Sequence, residues 1–245
     1  MVSCNCSCLY LSAPKAYIIT KAHNRMVIAH ILNDTQFGFR SKHSCESQLL
    51  LTTTDFAKAI DSKLQTNVGI LDFSKAFDKV SHSKLVHKLE FYGIIGSILN
   101  WIQSFLYNRT QSVVVEGSYS TQCSVTSGVP QGSVLGPVLF LTYINDIATD
   151  IHSQLRLFAD DCLIYRTIRS VDDRHMLQED LNTLASWASS FNMEFNIPKC
   201  NILQVTTHCN KSIFTYKIND TPLQLVNEHY ILASIYIINC PGNLR

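Results

Sequence analysis

The stretch LRLFADDCLIY, residues 155–165, places two adjacent carboxylates inside an otherwise apolar run. Asp160 and Asp161 repel each other, and the repulsion grows when burial excludes water. Polar and apolar residues alternate on both sides of the pair, which predicts two strands joined by a tight turn. Solvent at the turn or a bound cation has to offset the repulsion. The stretch therefore predicts a hairpin with an acidic tip.

The segments around this hairpin follow an order that indicates the fold. Residues 67–73, NVGILDF, predict a short strand ending at Asp72, and residues 193–205 predict the last strand. Leaving aside inserted helices, the order from Val68 is strand, helix, hairpin, helix, strand. This order is typical of an α+β fold of the ferredoxin-like, split βαβ type, an antiparallel sheet with helices on one face.

In such a fold the end of the first strand and the turn of the hairpin are neighbours. We therefore expect Asp72 to lie beside Asp160 and Asp161. Taken singly, each aspartate is more simply explained as the end of a strand or part of a turn. Three carboxylates at one place favour Mg²⁺, which prefers oxygen ligands. Two such ions stabilise the attacking and leaving oxygens of a phosphoryl displacement.

Composition and charge narrow the class of protein. With 245 residues, of which 46% are hydrophobic, the chain can bury a substantial core. Residues 1–110 carry 12 Lys and Arg against 7 Asp and Glu, whereas residues 111–245 carry 8 against 12. Such an asymmetry suits a protein that holds an anion with one part and a cation with another. A chance asymmetry of solvated faces explains the charges equally well.

The cysteines and apolar runs predict an intracellular protein, in the cytoplasm or the nucleus. The nine cysteines are scattered, and residues 1–14 lack the basic leader and apolar core of a secretory signal. We therefore expect free thiols in a reducing compartment, and no secretion. Cys4, Cys6 and Cys8 are spaced too closely for a usual zinc site. The longest apolar runs are too short to cross a membrane.

Several motifs resemble, in order and spacing, the reverse transcriptases of non-LTR (LINE-like) retrotransposons. They are QFGFRSKHSCESQLL (36–50), LDFSKAFDKVSHSKLVHKLEFYGI (71–94), SGVPQGSVLGPVLFLTYINDI (127–147), LFADD (157–161) and MEFNIPKC (193–200). The resemblance implies a polymerase palm plus partial helical fingers over residues 31–205. It also implies an RNA-directed DNA polymerase of a retrotransposon polyprotein, with two Mg²⁺ ions (or Mn²⁺), an RNA template, a DNA primer and deoxynucleoside triphosphates.

The resemblance assigns roles to individual residues. Asp72 and Asp160 match metal ligands, the carbonyl of Phe73 matches a further ligand, and Asp161 supports the site. Lys199 matches a lysine that protonates the pyrophosphate leaving group, although a solvated surface lysine is an equal alternative.

Further assignments concern the nucleotide and the nucleic acid. Ala76 and Phe77 match the floor beneath the incoming sugar, where Phe77 would exclude a ribose 2′-hydroxyl; the alternative for Phe77 is core packing. Gln131 and Gly132 match the loop at the nascent base pair. The remaining matches are two residues that would contact template phosphates, Arg40 and Lys42.

Both ends of the sequence depart from the family pattern. Residues 8–25 contain nothing equivalent to its Arg-Pro-Ile segment, and HYILASIYI (229–237) replaces its Tyr-Leu-Gly primer grip. We therefore expect a divergent or truncated segment at 1–30 and a degenerate primer-grip region at 206–245 without a thumb, so that this chain polymerises poorly. A non-catalytic remnant that binds nucleic acid or a partner remains an alternative. An RNA-directed RNA polymerase is a third, against which Phe77 argues.

Overall fold

The computed structural model describes residues 2–4, 32–207, 213–226, 228–231 and 236–239. The chain divides into two compact units. The sheet unit comprises residues 34–74 and 146–245, and the helical unit comprises residues 1–33 and 75–145. The side chains of the Cys4, Cys6 and Cys8 run lie outside the described residues, as do those of the expected primer-grip segment 229–237.

The described residues form five α-helices and thirteen strands. The helices are α1 (Cys45–Asp61), α2 (His82–Phe91), α3 (Ser97–Leu106), α4 (Leu135–Ile144) and α5 (Val171–Ser190). The strands are β1 (Val2–Cys4), β2 (Gln65–Leu71), β3 (Arg109–Val115), β4 (Ser118–Tyr119), β5 (Cys123–Val125), β6 (Gln154–Phe158), β7 (Asp161–Ile168), β8 (Asn201–Val205), β9 (Lys217–Ile218), β10 (Thr221–Pro222), β11 (Gln224–Val226), β12 (Glu228–Ile231) and β13 (Tyr236–Asn239).

The sheet unit is built on a five-stranded sheet with the order β11-β8-β2-β7-β6. The strands β8, β2, β7 and β6 are antiparallel neighbours. β2, which comes first in the chain, lies at the centre of the sheet, between β8 and the β6–β7 hairpin. The predicted ferredoxin-like α+β arrangement is therefore confirmed. β11, which the sequence did not predict, adds a fifth strand parallel to β8.

Helices cover both faces of this sheet. Successive residues of a strand point to opposite sides, so two neighbouring residues of β2 show which helix lies on each face. Val68 of β2 belongs to an apolar cluster with Phe56 of α1 and Tyr165 of β7. The next residue, Gly69, faces α5, since a Cβ atom there would lie 3.7 Å from Leu181 Cδ2. The predicted single helical face thus corresponds to α5, and α1 adds a second layer on the other side.

The helical unit packs around α4. Every residue of this helix except Pro137 is buried, as expected for a helix that is apolar on all sides. α2 packs against both α3 and α4. A turn at Glu116 and Gly117 joins β3 and β4 as a hairpin, and both turn residues have positive φ, of 49° and 82°. Such a turn matches the right-handed twist of the flanking strands.

None of the helices in the described part of the chain combines the length and the apolar character that a bilayer crossing requires. Cys45, Cys123, Cys162 and Cys200 carry free thiols.

Within the sheet unit, buried hydrogen bonds hold residues 213–226 against the central strand β2. The Asn67 side chain, which is fully buried on β2, donates to the Tyr216 hydroxyl at 2.7 Å. Its carbonyl oxygen accepts from Gln65 Nε2, also at 2.7 Å. A buried amide without partners is costly, so these bonds stabilise the packing of Tyr216 on the sheet. The segment expected to begin a degenerate region at 206 therefore contributes to the core.

Replacing Tyr216 by Phe tests this contact. The Tyr216→Phe variant removes the acceptor of the buried Asn67 amide, and we expect the free energy of unfolding to fall by about 1–3 kcal/mol. Urea denaturation measures the change. Tyr119→Phe removes a hydroxyl from a side chain that is 72% exposed and should leave stability unchanged. Equal stability of the two variants would show that the hydrogen bond contributes nothing.

Candidate active site

Asp72 follows directly after β2, and its main chain is held by neighbouring residues. Its carbonyl accepts from the Asn196 N–H at 2.8 Å, and its own N–H donates to Cys200 Sγ at 3.4 Å. Burial raises the pKa of the Cys200 thiol to about 11, so the thiol stays protonated and serves as a structural contact. These bonds fix the backbone of Asp72, while its carboxylate remains 32% exposed.

The other two carboxylates occupy the tip of the β6–β7 hairpin. Asp160 lies in the turn, and Asp161 is the first residue of β7. The register pairs Leu71 with Cys162, so the next positions, Asp72 and Asp161, lie alongside each other. The structure thus brings the three aspartates expected from the sequence to one edge of the sheet.

The environment of the hairpin tip raises the pKa of both of its carboxyl groups. Burial is the largest cause for Asp160, and the charge of Asp72 adds to it. Burial, followed by the charges of Asp160 and Asp72, raises the pKa of Asp161 to about 6. The Asp161 side chain keeps considerable exposure to solvent, which screens part of the repulsion. Burial first, and the neighbouring negative charges second, disfavour the ionised carboxylates, and a bound cation would oppose both effects.

Lys199 compensates part of this charge. Its Nζ lies 3.5 Å from Asp72 Oδ2, and its side chain is 67% exposed. Its positive charge lowers the pKa of Asp160, against the larger effect of burial. The residue ends a short 3₁₀ turn, Ile197–Lys199, that leads into β8. Lys199 therefore lies at the acidic site, as expected, although its solvent exposure also fits a surface lysine.

The carbonyl of Phe73 points towards the β7 side of the strand. Phe73 forms an isolated antiparallel bridge with Phe195, and the hydrogen bonds of this bridge are made by the flanking residues Asp72 and Ser74. In such a pair the backbone groups of the central residue face the opposite side. The Phe73 ring is buried between Phe195 and Trp187. This orientation suits the metal-ligand role that the resemblance gives to the Phe73 carbonyl.

The donor set fits a hard divalent cation in its chemistry. It offers three carboxylates and one backbone carbonyl, the oxygen ligands typical of Mg²⁺ and Mn²⁺. Among the residues that the structure describes, however, no group of three or more His, Cys, Asp or Glu side chains is close enough to hold a metal ion. The fit is therefore one of donor chemistry, through Asp72, Asp160 and the Phe73 carbonyl.

Ala76 and Phe77 belong to the helical unit, in a 3₁₀ turn at Ala76–Asp78. Ala76 is buried, whereas Phe77 is only partly buried. The Phe77 ring stacks on Phe140 of α4 with a centroid distance of 4.2 Å. One face of Phe77 therefore serves core packing, and the remainder of the ring is accessible, which leaves the sugar-gate assignment a prediction.

The glycine-rich loop also belongs to the helical unit, where Gln131 and Gly132 are exposed. Gln131 Nε2 donates to Asp78 Oδ1 at 3.1 Å, and no atom lies within 4 Å of a Cβ built on Gly132. Gly128 and Gly136 differ, because a Cβ would lie 2.9 Å from the Asp78 backbone and 2.5 Å from a carbonyl within the loop, respectively. Close packing explains why positions 128 and 136 are glycine. Of the three glycines, only Gly132 has surroundings that leave room for a nucleic acid or nucleotide.

Arg40 and Lys42 differ in how far they are available for phosphate. The Arg40 guanidinium donates to the Gln36 carbonyl at 3.3 Å and pairs with Asp34 at 3.5 Å, and its side chain is only 14% exposed. Lys42 is exposed, with φ of 63°. Phosphate binding by Arg40 stays a prediction, and the contacts show that the residue also stabilises its own loop.

Three contacts at these positions were not predicted from the sequence. Cys200 supports Asp72, Asp78 binds Gln131, and Gln36 contacts the turn that carries Asp160. A single cysteine, aspartate or glutamine has no periodicity that reveals its partner. The signals that existed were their positions inside quoted motifs, NIPKC for Cys200 and QFGFR for Gln36.

The family described as "Reverse transcriptase (RNA-dependent DNA polymerase)" matches residues 15–216. The chain belongs to the reverse transcriptase family. The match begins within the segment expected to be divergent, residues 1–30, and extends past residue 205.

Relatives of this reverse transcriptase chain are polymerases of non-LTR retrotransposons. It is 33% identical over 197 residues to a probable RNA-directed DNA polymerase from transposon BS of Drosophila melanogaster, covering 74% of this chain and 21% of that protein. It is 32% identical over 174 residues to the RNA-directed DNA polymerase from mobile element jockey of the same organism, covering 67% and 19%. The chain thus spans about a fifth of the length of these relatives.

The fold is similar to that of an apo telomerase from Candida tropicalis, truncated from its C-terminal domain. The TM-score is 0.59 at 12% identity, and the similarity covers 95% of this chain and 44% of the other. At this identity the likeness concerns the fold, which is that of a polymerase palm.

Neutralising Asp161 should change how stability depends on pH. Because its pKa is about 6 when folded and near 3.8 when unfolded, the folded protein binds the proton more tightly, and stability falls as pH rises from about 4 to 6. In EDTA, Asp161→Asn should remove this fall and stabilise the protein at pH 7.5 by about 1 kcal/mol after allowance for solvent screening.

Thermal melting at pH 4 and pH 7.5 measures the effect, which corresponds to about 2–4 °C at the higher pH. Asp150→Asn removes an exposed carboxylate of the same unit and should leave the pH dependence unchanged. An Asp161→Asn profile parallel to the wild type would contradict the expectation.

Proposed function

We propose that this chain is the catalytic core of an RNA-directed DNA polymerase, which adds deoxynucleotides to the 3′-hydroxyl of a primer. The observation that carries the proposal is the meeting of Asp72, Asp160 and Asp161 at one edge of the sheet. Membership of the reverse transcriptase family gives the class of reaction. RNA template, DNA primer and deoxynucleoside triphosphates are the proposed partners, because the relatives' names specify RNA-directed DNA synthesis.

Asp72, Asp160 and the Phe73 carbonyl would hold two Mg²⁺ ions, with Asp161 supporting the site. When bound, such a pair of ions stabilises the attacking and leaving oxygens of an in-line displacement. The residues themselves orient the reacting groups, since Asp72 is fixed through its backbone. The raised pKa of Asp160 and Asp161 supports the proposal because burial and neighbouring charges disfavour their ionised forms, which a bound cation would favour.

Lys199 is proposed to donate a proton to the departing pyrophosphate. Its ammonium group is exposed and lies 3.5 Å from Asp72, so it can reach a phosphate bound at the carboxylates. Ala76 and Phe77 are proposed as the floor beneath the sugar, and Gln131 and Gly132 as the contacts to the nascent base pair.

The alternative is a non-catalytic remnant that keeps the fold. Two observations favour it: the described residues contain no closed group of metal ligands, and Lys199 pairs with Asp72. The enzyme remains the better proposal because all three carboxylates are present and adjoin each other despite their mutual repulsion. A remnant would gain stability at neutral pH by losing Asp161, whose pKa is raised by burial and by the neighbouring charges.

Primer extension separates the two. With an RNA template, a DNA primer, Mg²⁺ and protein in excess, we expect slow extension. Residues 8–25 show no Arg-Pro-Ile segment, and an arginine that stabilises the charge of a transferred phosphoryl group is worth about 10³–10⁵ in related reactions. Asp160→Asn should lower the extension rate by about 10³-fold, whereas Asp150→Asn, which removes a distant exposed charge, should not. Primer-template binding without any extension, with Mg²⁺ or Mn²⁺, would favour the remnant.

Sugar choice tests the assignment of Phe77. In Phe77→Val the smaller side chain should admit ribonucleotides, so that the ratio of deoxynucleotide to ribonucleotide incorporation falls about tenfold or more. Phe91→Val, which alters a ring that is 86% exposed in the same unit, serves as the control. If Phe77→Val lowers the melting temperature but leaves the ratio unchanged, the stacking on Phe140 is the whole role of Phe77.

A further inference from the structure

Residues 35–37 extend the sheet along the outer side of β6. Gln36 forms an isolated parallel bridge with Leu157. The Phe37 N–H donates to the Leu157 carbonyl, and the Leu157 N–H donates to the Thr35 carbonyl, both at 2.8 Å. The segment is therefore fixed next to the end of β6, one residue before the turn that carries the aspartates.

The side chain of Gln36 binds the backbone of that turn from two directions. Its Nε2 donates to the Ala159 carbonyl at 3.2 Å, and its Oε1 accepts from the Ala159 N–H at 2.9 Å. The same oxygen accepts from the Gly38 N–H at 2.8 Å. With 3% exposure the amide is buried, where hydrogen bonds are least weakened by water.

The turn needs such support because its conformation is unfavourable. Ala159 has φ of 55°, in the left-handed region, which costs a residue with a Cβ about 1 kcal/mol or more. The next two residues, Asp160 and Asp161, repel each other and Asp72. A strained backbone persists only where its surroundings fix it. The bonds from Gln36 are made to the strained residue itself.

Gly38 permits the close approach. A Cβ at this position would lie 2.4 Å from the Ala159 nitrogen, a contact that no side chain could make. The glycine and the glutamine of the QFG sequence therefore act together on the same turn residue.

We propose that Gln36 is a positioning residue for the carboxylates of Asp160 and Asp161. It acts through the backbone: it holds Ala159, and through it the direction in which Asp160 leaves the turn. The inference rests on the proposed metal-binding function of these carboxylates. It predicts that loss of the Gln36 amide weakens metal binding beyond its effect on stability.

The test compares two buried glutamines of the same unit. Gln36→Met removes the amide but keeps the length of the side chain. Gln65→Met does the same at the opposite end of β2, about 20 Å from Asp72 along the strand, where Gln65 donates to Asn67. Mn²⁺ binding to the 245-residue chain is measured by the electron paramagnetic resonance signal of the free ion, and exchange of the Ala159 amide is measured by NMR without metal.

We expect Gln36→Met to weaken Mn²⁺ binding about tenfold or more and to accelerate exchange of the Ala159 amide by a similar factor. Gln65→Met should lower the melting temperature comparably but leave both quantities within about twofold of the wild type. Mn²⁺ affinity that is unchanged in Gln36→Met would overturn the proposal, as would an equal loss in both variants.

Two further outcomes are decisive. If Gln36→Met does not fold, Gln36→Asn, which is one methylene shorter, replaces it; failure of both to fold would make Gln36 a folding residue and overturn the positioning role. A wild-type chain that binds no Mn²⁺ would refute the metal site of the proposed function. The exchange rate of the Ala159 amide then decides separately whether Gln36 holds the turn.

Discussion

Three carboxylates repel one another at one edge of the sheet, and the surrounding residues have to hold them there. Asp72, Asp160 and Asp161 would separate if only their charges acted, so their backbones have to be held by other groups. Cys200 binds the backbone of Asp72, and Gln36 binds the backbone of the turn. Both contacts are made to the main chain. The carboxylate oxygens therefore stay available for a ligand while the positions from which they project are fixed.

The aspartates could be predicted from the sequence, whereas the residues that hold their backbones could not. The hairpin at 155–165 shows its turn by alternation, and the order of strands and helices then brings Asp72 to the turn. The alternation of a strand is visible in its own residues, and connection rules leave few ways to arrange a given order of strands and helices. Both can therefore be predicted from one sequence.

Other features depend on which side chains meet after folding. Gln36 is buried although glutamine usually lies at the surface, and nothing in its neighbours' hydrophobicity indicates an amide that binds residue 159. Tyr216 lies in the alternating stretch IFTYKI (213–218), whose pattern does not reveal that the Tyr216 hydroxyl accepts from a buried amide on β2. Gly128 closely approaches the backbone of Asp78, and Gly136 approaches a carbonyl of its own loop; the sequence reveals neither contact. Tertiary contact decided each case.

The short strand β11 has a consequence for self-association. An open strand edge presents unpaired N–H and C=O groups, on which another chain can pair and start aggregation. β8 would present such an edge, but β11 pairs with it. The edge strand on this side is therefore β11, which has only three residues. On the other side of the sheet, residues 35–37 cover the end of β6. Among the residues that the structure describes, the sheet therefore ends in a strand of three residues on one side and in β6, covered at its end, on the other.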